Sequence, residues 1–144
     1  ATIGTPRVMD AWPVSAGEAI HTSTFLGNPL ACAAALANLD ALARLDLVAN
    51  VRRREPALAE RLGRLRAYAR VRDVRGVGFL WAVEFDEAAF ANRVVVRGLA
   101  NGVVLLQSGP TGTSITIAPP LLIEDAQLMR ALDLCERSVR EIGL

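Results

Sequence analysis

Apolar residues recur along this chain with two different periods, and the change between them marks its elements. The Ala-rich run Leu30–Arg44 has Leu36, Leu39 and Ala43 at helical spacing, which predicts a helix with an apolar stripe. Asn28 can cap it, and Pro29 suits its first position, where a missing N–H costs no hydrogen bond. A second helical pattern covers 47–68. Leu58, Leu62 and Leu65 form its stripe, and Arg52, Arg53, Arg54, Glu60, Arg61, Arg64 and Arg66 read as its solvated side. Pro56 is expected to kink or restart it. From Val77 the period falls to two. Val77, Phe79, Trp81, Val83 and Phe85 then share one face of a single strand, opposite the small Gly78 and Ala82. Asp86 can cap a helix over 87–100 that Asn101-Gly102 ends. Strands follow over 103–107 and 115–118, the second stopped by Pro119-Pro120. The last helix, 125–142, carries Leu128, Leu132, Cys135, Val139 and Ile142 on one stripe, with Glu124 and Asp125 at its positive end.

Residues from about 46 onward therefore read helix, strand, helix, strand, strand, helix. A short, largely antiparallel sheet covered by helices satisfies that order, which is an α+β domain spanning 46–144. Residues 5–27 are rich in Gly, Pro, Ser and Thr and read as a long connection with one helical turn near 7–12. With the helix that follows, residues 1–45 look like the edge of another domain.

Composition narrows the function. The chain has 144 residues and is 52% hydrophobic, enough for a sizeable core. A net charge of +1 excludes the strong positive field of a typical nucleic-acid binder, and no apolar run is long enough to span a bilayer. Nucleic acid and membrane are therefore not expected partners. Cys32 and Cys135 are far apart with no metal-ligand spacing around them, so we expect neither a metal site nor a disulfide, and a cytoplasmic location. Both fall on helical stripes and read as buried, inert thiols. Gly76 and Gly78 do not make a nucleotide-binding fingerprint, because no helix opens after them. All sixteen basic residues are arginine. Chemistry that needs a lysine amine, such as an imine with a carbonyl cofactor, cannot be completed within this chain. The start at Ala1, without methionine or helix cap, leads us to expect a fragment shortened at its N-terminus.

The stretch richest in chemistry is His21-Thr22-Ser23-Thr24-Phe25-Leu26-Gly27-Asn28-Pro29. Three hydroxyls precede a helix N-terminus, where unpaired N–H groups and the dipole favour phosphate. The same residues serve equally for plain capping and turn formation, and the residues alone leave both readings open.

This stretch, with Leu30-Ala31-Cys32-Ala33-Ala34, resembles the H-x-S-T-F-x-G-N-P-L-A-x-A-A segment of class III, fold-type I, pyridoxal-phosphate-dependent aminotransferases. Val74-Arg75-Gly76-Val77-Gly78 through Glu84-Phe85 is similar to the family's R-G-x-G strand, and Ile117-Ala118-Pro119-Pro120-Leu121-Leu122-Ile123 to its A-P-P-L-x-I segment. The three occur in the family's order. The resemblance implies the C-terminal part of such an enzyme: residues 1–45 as the last strip of the large cofactor domain, and 46–144 as the whole small domain. The lysine that holds pyridoxal phosphate would lie upstream of Ala1, so this part alone would be inactive and catalytic residues would be absent from it. The partners implied are the missing N-terminal part and a second subunit of a homodimer. Thr24 would reach across that dimer to the cofactor phosphate, with Ser23 as a weaker second contact and His21 as a positioning residue. The full enzyme would transfer an amino group from an amine or amino acid to a keto acid. An aminomutase or decarboxylase on the same scaffold, or a stand-alone non-catalytic interaction domain, are the alternatives. One departure concerns substrate. Many members carry arginine two residues before A-P-P, where it clamps a carboxylate through paired hydrogen bonds. Here that substrate-binding position is Thr116, which cannot make such a pair. An amine donor, an ω-amino acid held another way, or an arginine from the absent part remain open.

Overall fold

A computed structural model describes residues 4–14, 17 and 24–143. Backbone contacts group the chain into two compact units, Ala1–Asp40 and Ala41–Leu144.

The first unit holds a short helix α1 (Pro6–Met9) and the start of helix α2 (Pro29–Arg44). Pro6 opens α1 directly after Thr5, whose carbonyl accepts from the Val8 and Met9 amides at 2.9 and 3.0 Å. Before α2 the chain turns over residues 24–27, with Gly27 at a positive φ of 72° that a side chain would strain. Asn28 then caps the helix as expected: its Oδ1 accepts from the Ala31 amide at 3.1 Å, and its carbonyl from Cys32 at 2.9 Å. No residue of α2 is buried, and Leu30, Leu36 and Leu39 stand exposed. Cys32 is exposed too, which corrects the expectation of a buried thiol there; its neighbours over 29–40 are exposed with it.

The second unit is α+β. Helix α3 (Leu47–Gly63) runs into a 3-10 turn (Arg64–Ala67), followed by strands β1 (Val71–Val77) and β2 (Leu80–Phe85), helix α4 (Ala88–Asn101), strands β3 (Leu106–Ser108) and β4 (Ser114–Ile117), and helix α5 (Asp125–Gly143). The four strands form one sheet in the order β1-β2-β4-β3, every neighbour antiparallel. Val74, Trp81, Val83, Phe85, Ile115 and Ile117 line one face. Leu58 and Leu62 of α3, Phe90 and Val94 of α4, and Leu128, Leu132, Cys135 and Val139 of α5 complete the core with them. Gly102, at φ 91°, ends α4 by donating back to Gly98 and Leu99.

Several expectations change. The period-two stretch is a hairpin and not one strand: Gly78, at φ 56°, turns the chain between β1 and β2. Val77 thus ends β1 pointing away from the core, while Trp81, Val83 and Phe85 hold the core face of β2. The turn adds a fourth strand to the three expected. Asp86 does not cap α4; Glu87 occupies that position, and Asp86 pairs with Arg70 at 3.0 Å instead. Pro56 lies inside α3 without ending it. Among the arginines assigned to solvent, Arg54 lies over the Phe79 ring at 5.1 Å and donates to the Ile123 carbonyl at 2.8 Å. Arg61 joins α3 to Glu136 and Asp133 of α5, and Arg66 donates to the Val74 carbonyl on β1.

Candidate functional site

Thr24 begins the turn that leads into α2, with its side chain exposed. The cap of α2 falls to Asn28, and Pro29 brings no N–H to satisfy, so the helix start makes no demand on the Thr24 hydroxyl. Among the described residues that hydroxyl has no hydrogen-bond partner. Ser23 and His21 lie outside the described residues.

Thr116 sits at the centre of β4, paired with Ala82 of β2 on one side and Leu106 of β3 on the other. It points to the sheet face opposite the core, between buried Ile115 and Ile117. Its hydroxyl donates to Ser108 Oγ at 2.7 Å, a cross-strand pair that ties the edge strand β3 to the sheet. Ser108 was not singled out in the sequence. The only signal was its place two residues after Leu106, which becomes legible once the register of β3 is known.

Arg75 lies in the same row: it pairs with Ala82, and Ala82 with Thr116. Its Nη1 donates to Glu84 at 2.5 Å and Asp73 at 2.9 Å. The Glu84 bond, with that to Asp73, raises the Arg75 pKa, and the guanidinium in turn holds the Asp73 carboxyl below its ordinary range. The row thus bears one cation, paired with the two carboxylates of the adjacent Asp73–Glu84 row, and, at Thr116, a hydroxyl already engaged. Thr24 belongs to the first unit and Thr116 to the second.

An apolar hollow of about 220 Å³ opens beside the Ala118-Pro119-Pro120 segment, lined by Leu105, Ile117, Pro119, Ile123, Leu128 and Cys135 among others. It lacks the convergent polar groups that orient a substrate. Burial pushes the Cys135 thiol up to about 12, so it is neutral and unreactive at physiological pH. Among the described residues no group of three or more His, Cys, Asp or Glu could hold a metal, and no helix is long and apolar enough to cross a membrane.

The family model for class-III aminotransferases matches residues 1–139. The chain belongs to the class-III aminotransferases. A 4-aminobutyrate aminotransferase of Mycobacterium leprae (strain TN) is 36% identical over 145 residues, covering 95% of this chain and 32% of the relative. A mitochondrial acetylornithine aminotransferase of Alnus glutinosa is 35% identical, covering 93% of this chain and 28% of the relative. Among solved structures, a PMP-bound aminotransferase from Vibrio fluvialis superimposes with a TM-score of 0.73 at 27% identity, over 87% of this chain and 29% of that one. An ω-aminotransferase from Paracoccus denitrificans gives 0.70 at 26% identity, over 79% of this chain and 27% of that one. The chain thus spans about a third or less of the proteins it matches, and its α+β unit is part of the fold-type I transaminase fold.

Class-III aminotransferases are pyridoxal-phosphate enzymes. The residues present fit one part of that group. The exposed, uncommitted Thr24 hydroxyl suits a phosphate oxygen, whereas no lysine is available to hold the aldehyde.

Proposed function

We propose that this chain is the C-terminal part of a pyridoxal-phosphate aminotransferase that moves an amino group from an amine or amino acid to a keto acid. The observation that carries the reading is the family match across residues 1–139 in a chain without lysine. Residues 1–45 then belong to the large cofactor domain and 46–144 to the small domain. When bound, pyridoxal phosphate supplies an electron-withdrawing ring that makes the substrate's C–H bond next to nitrogen acidic.

This chain's own contribution is binding and orientation. The Thr24 hydroxyl donates to a phosphate oxygen of the cofactor held by the partner subunit of a homodimer, and Ser23 adds a second, weaker contact. Asn28 keeps α2 capped, so the hydroxyl is not recruited into the helix start. On the substrate side, Thr116 offers no guanidinium fork, and its hydroxyl is already given to Ser108. A substrate carboxylate is therefore not gripped at this position, which favours an amine donor or an acid group held elsewhere. The two cysteines are free, in keeping with a cytoplasmic location.

By itself the chain should be inactive. After incubation with pyridoxal phosphate and borohydride, peptide mapping should find no cofactor on any side chain of this chain. The complete gene product should carry it on one lysine and transfer amino groups. A complete product that takes up no cofactor, or an active 144-residue chain, would overturn the reading.

A further inference from the structure

The two edges of the sheet are built differently. In an antiparallel ladder every second residue turns its N–H and C=O away from a given neighbour. The Phe85 amide donates to the Thr113 carbonyl at 2.9 Å. By alternation Val83 and Ile115 bond each other, while Ala82 bonds Arg75 of β1 and Thr116 bonds Leu106 of β3. The outward groups at the middle of β1 are then those of Val74, and side chains take both. Asp73 Oδ1 accepts from the Val74 amide at 2.8 Å, and Arg66 donates to the Val74 carbonyl. A register shift between Val71 and Asp73 and the charges of Arg72, Asp73 and Arg75 add to this. That edge is closed to another strand.

At the β3 edge the outward groups are those of Leu105 and Gln107, and among the described residues no hydrogen bond reaches them. The pleat runs through this stretch: Leu105 is buried, while Val104 and Leu106 are 84% and 66% exposed. Gln107 Nε2 donates to the Ala88 and Gly112 carbonyls at 3.1 and 2.7 Å, which fixes the edge in place. No residue from Gly102 to Ile123 is charged, so nothing repels an incoming strand.

We infer that β3 pairs antiparallel with β3 of a second copy of this chain, about a two-fold axis at Leu106, and joins the two four-stranded sheets into one. Symmetry favours a second copy over a foreign strand. Leu105 and Gln107 lie equally spaced about Leu106, so each bonds the other's counterpart through both of its backbone groups. Leu106 meets its own counterpart in a close side-chain pair, and Val104 lies across from Ser108. A two-fold axis sets like opposite like, which an edge without charge tolerates. The contact is independent of the aminotransferase reading.

Disulfide trapping tests the register. In a Cys32→Ser background, Leu106→Cys places the two introduced thiols on residues whose Cα atoms face each other at about 4.5 Å, within reach of a disulfide. Val104→Cys places them about 14 Å apart, out of reach. Mild oxidation of the 144-residue chain should crosslink Leu106→Cys at least about tenfold faster than Val104→Cys. Leu106→Lys, at an exposed site, should leave the thermal midpoint in place and raise the dissociation constant from sedimentation at least about tenfold. An equimolar mixture of Leu106→Lys and Leu106→Glu chains should associate again, because the facing charges then attract. Equal crosslinking at both positions, or association unmoved by Leu106→Lys, overturns the inference, since the contact then lies elsewhere, as on the exposed leucines of α2. No gain on mixing overturns it too. So does a chain that is monomeric at about 1 mM, or a monomer whose Leu105 and Gln107 amides resist hydrogen exchange because another segment fills the edge.

Discussion

At Gly76 the ring of Trp81 lies across the backbone of β1, so closely that an added Cβ would stand 2.4 Å from Trp81 Cδ2 and 2.5 Å from the Leu80 carbonyl. The indole is anchored by its own hydrogen bond to the Gly78 carbonyl at 2.9 Å and cannot simply turn away. Gly76→Ala should therefore lower stability by about 1–3 kcal/mol, read as a lower urea midpoint at constant slope. An unchanged midpoint would mean that the indole has room to move. Cys135 makes a second prediction at this scale. Its thiol titrates near 9 when unfolded and is pushed up to about 12 by burial. Between those values the unfolded chain has lost the proton and the folded chain has kept it, so rising pH favours unfolding. This one group should cost about 1.4 kcal/mol of stability per pH unit across that window, and nothing below it. Cys135→Ala should flatten the alkaline slope by that amount. On its proposed role, Thr24 separates stability from function. Exposed and outside the cap, its change to Ala should leave folding untouched. In the complete protein it should raise the pyridoxal phosphate dissociation constant roughly ten- to a hundredfold, by loss of a charged hydrogen bond worth about 1.5–3 kcal/mol. A spectroscopic titration decides it.

Among the elements, α3 and α5 are held to each other by more than their apolar stripes. Arg61 donates to Asp133 and to Glu136, and Tyr68 donates to the other Glu136 oxygen at 3.3 Å. Burial and the neighbouring Glu136 charge raise the Tyr68 pKa, so the phenol stays protonated and keeps donating. The Arg61 side chain is 21% exposed, so its pairs are partly shielded from solvent. Arg61→Ala should cost about 1–2 kcal/mol after allowing for that exposure, and Arg61→Lys should restore less than half, because one ammonium cannot span two carboxylates. Midpoints of both variants equal to that of the unsubstituted chain would show that the pairs contribute nothing. The helical stripes of α3 and α5 were legible from spacing because burial follows period. The role of Arg61 was not, since an arginine on the wet side of its own helix gives no sign that another helix will lie beside it. Asp86 is similar: a caps-like residue before a helix was correctly seen as a boundary, but Arg70 from the preceding turn competes for its carboxylate. The hairpin is hidden in the sequence because Val77 and Phe79 keep period two through the turn, and only the positive φ at Gly78 breaks the face. The asparagine cap of α2 was legible because both partners lie within one turn of helix.

At the scale of the molecule, the two units should differ in stability. The second has a closed core from Leu58 to Val139, drawn from three helices and the sheet. Helix α2 begins in the first unit and buries none of its residues. A helix of 16 residues without tertiary packing is marginal in water, since nucleation is costly and each added bond contributes little. Its alanines and the Asn28 cap help, but by increments of about a kcal/mol or less each. Amides of α2 up to Asp40 should thus exchange with solvent long before those of β2 or α5, whose protection should approach that of global unfolding. Limited proteolysis should cut the first unit and leave a product that retains α3 to α5. On the proposed reading the same α2 amides should become protected in the complete gene product, where the exposed Leu30, Leu36 and Leu39 would gain neighbours. Slow exchange of α2 in the 144-residue chain, equal to that of α5, would show that the helix needs no such cover.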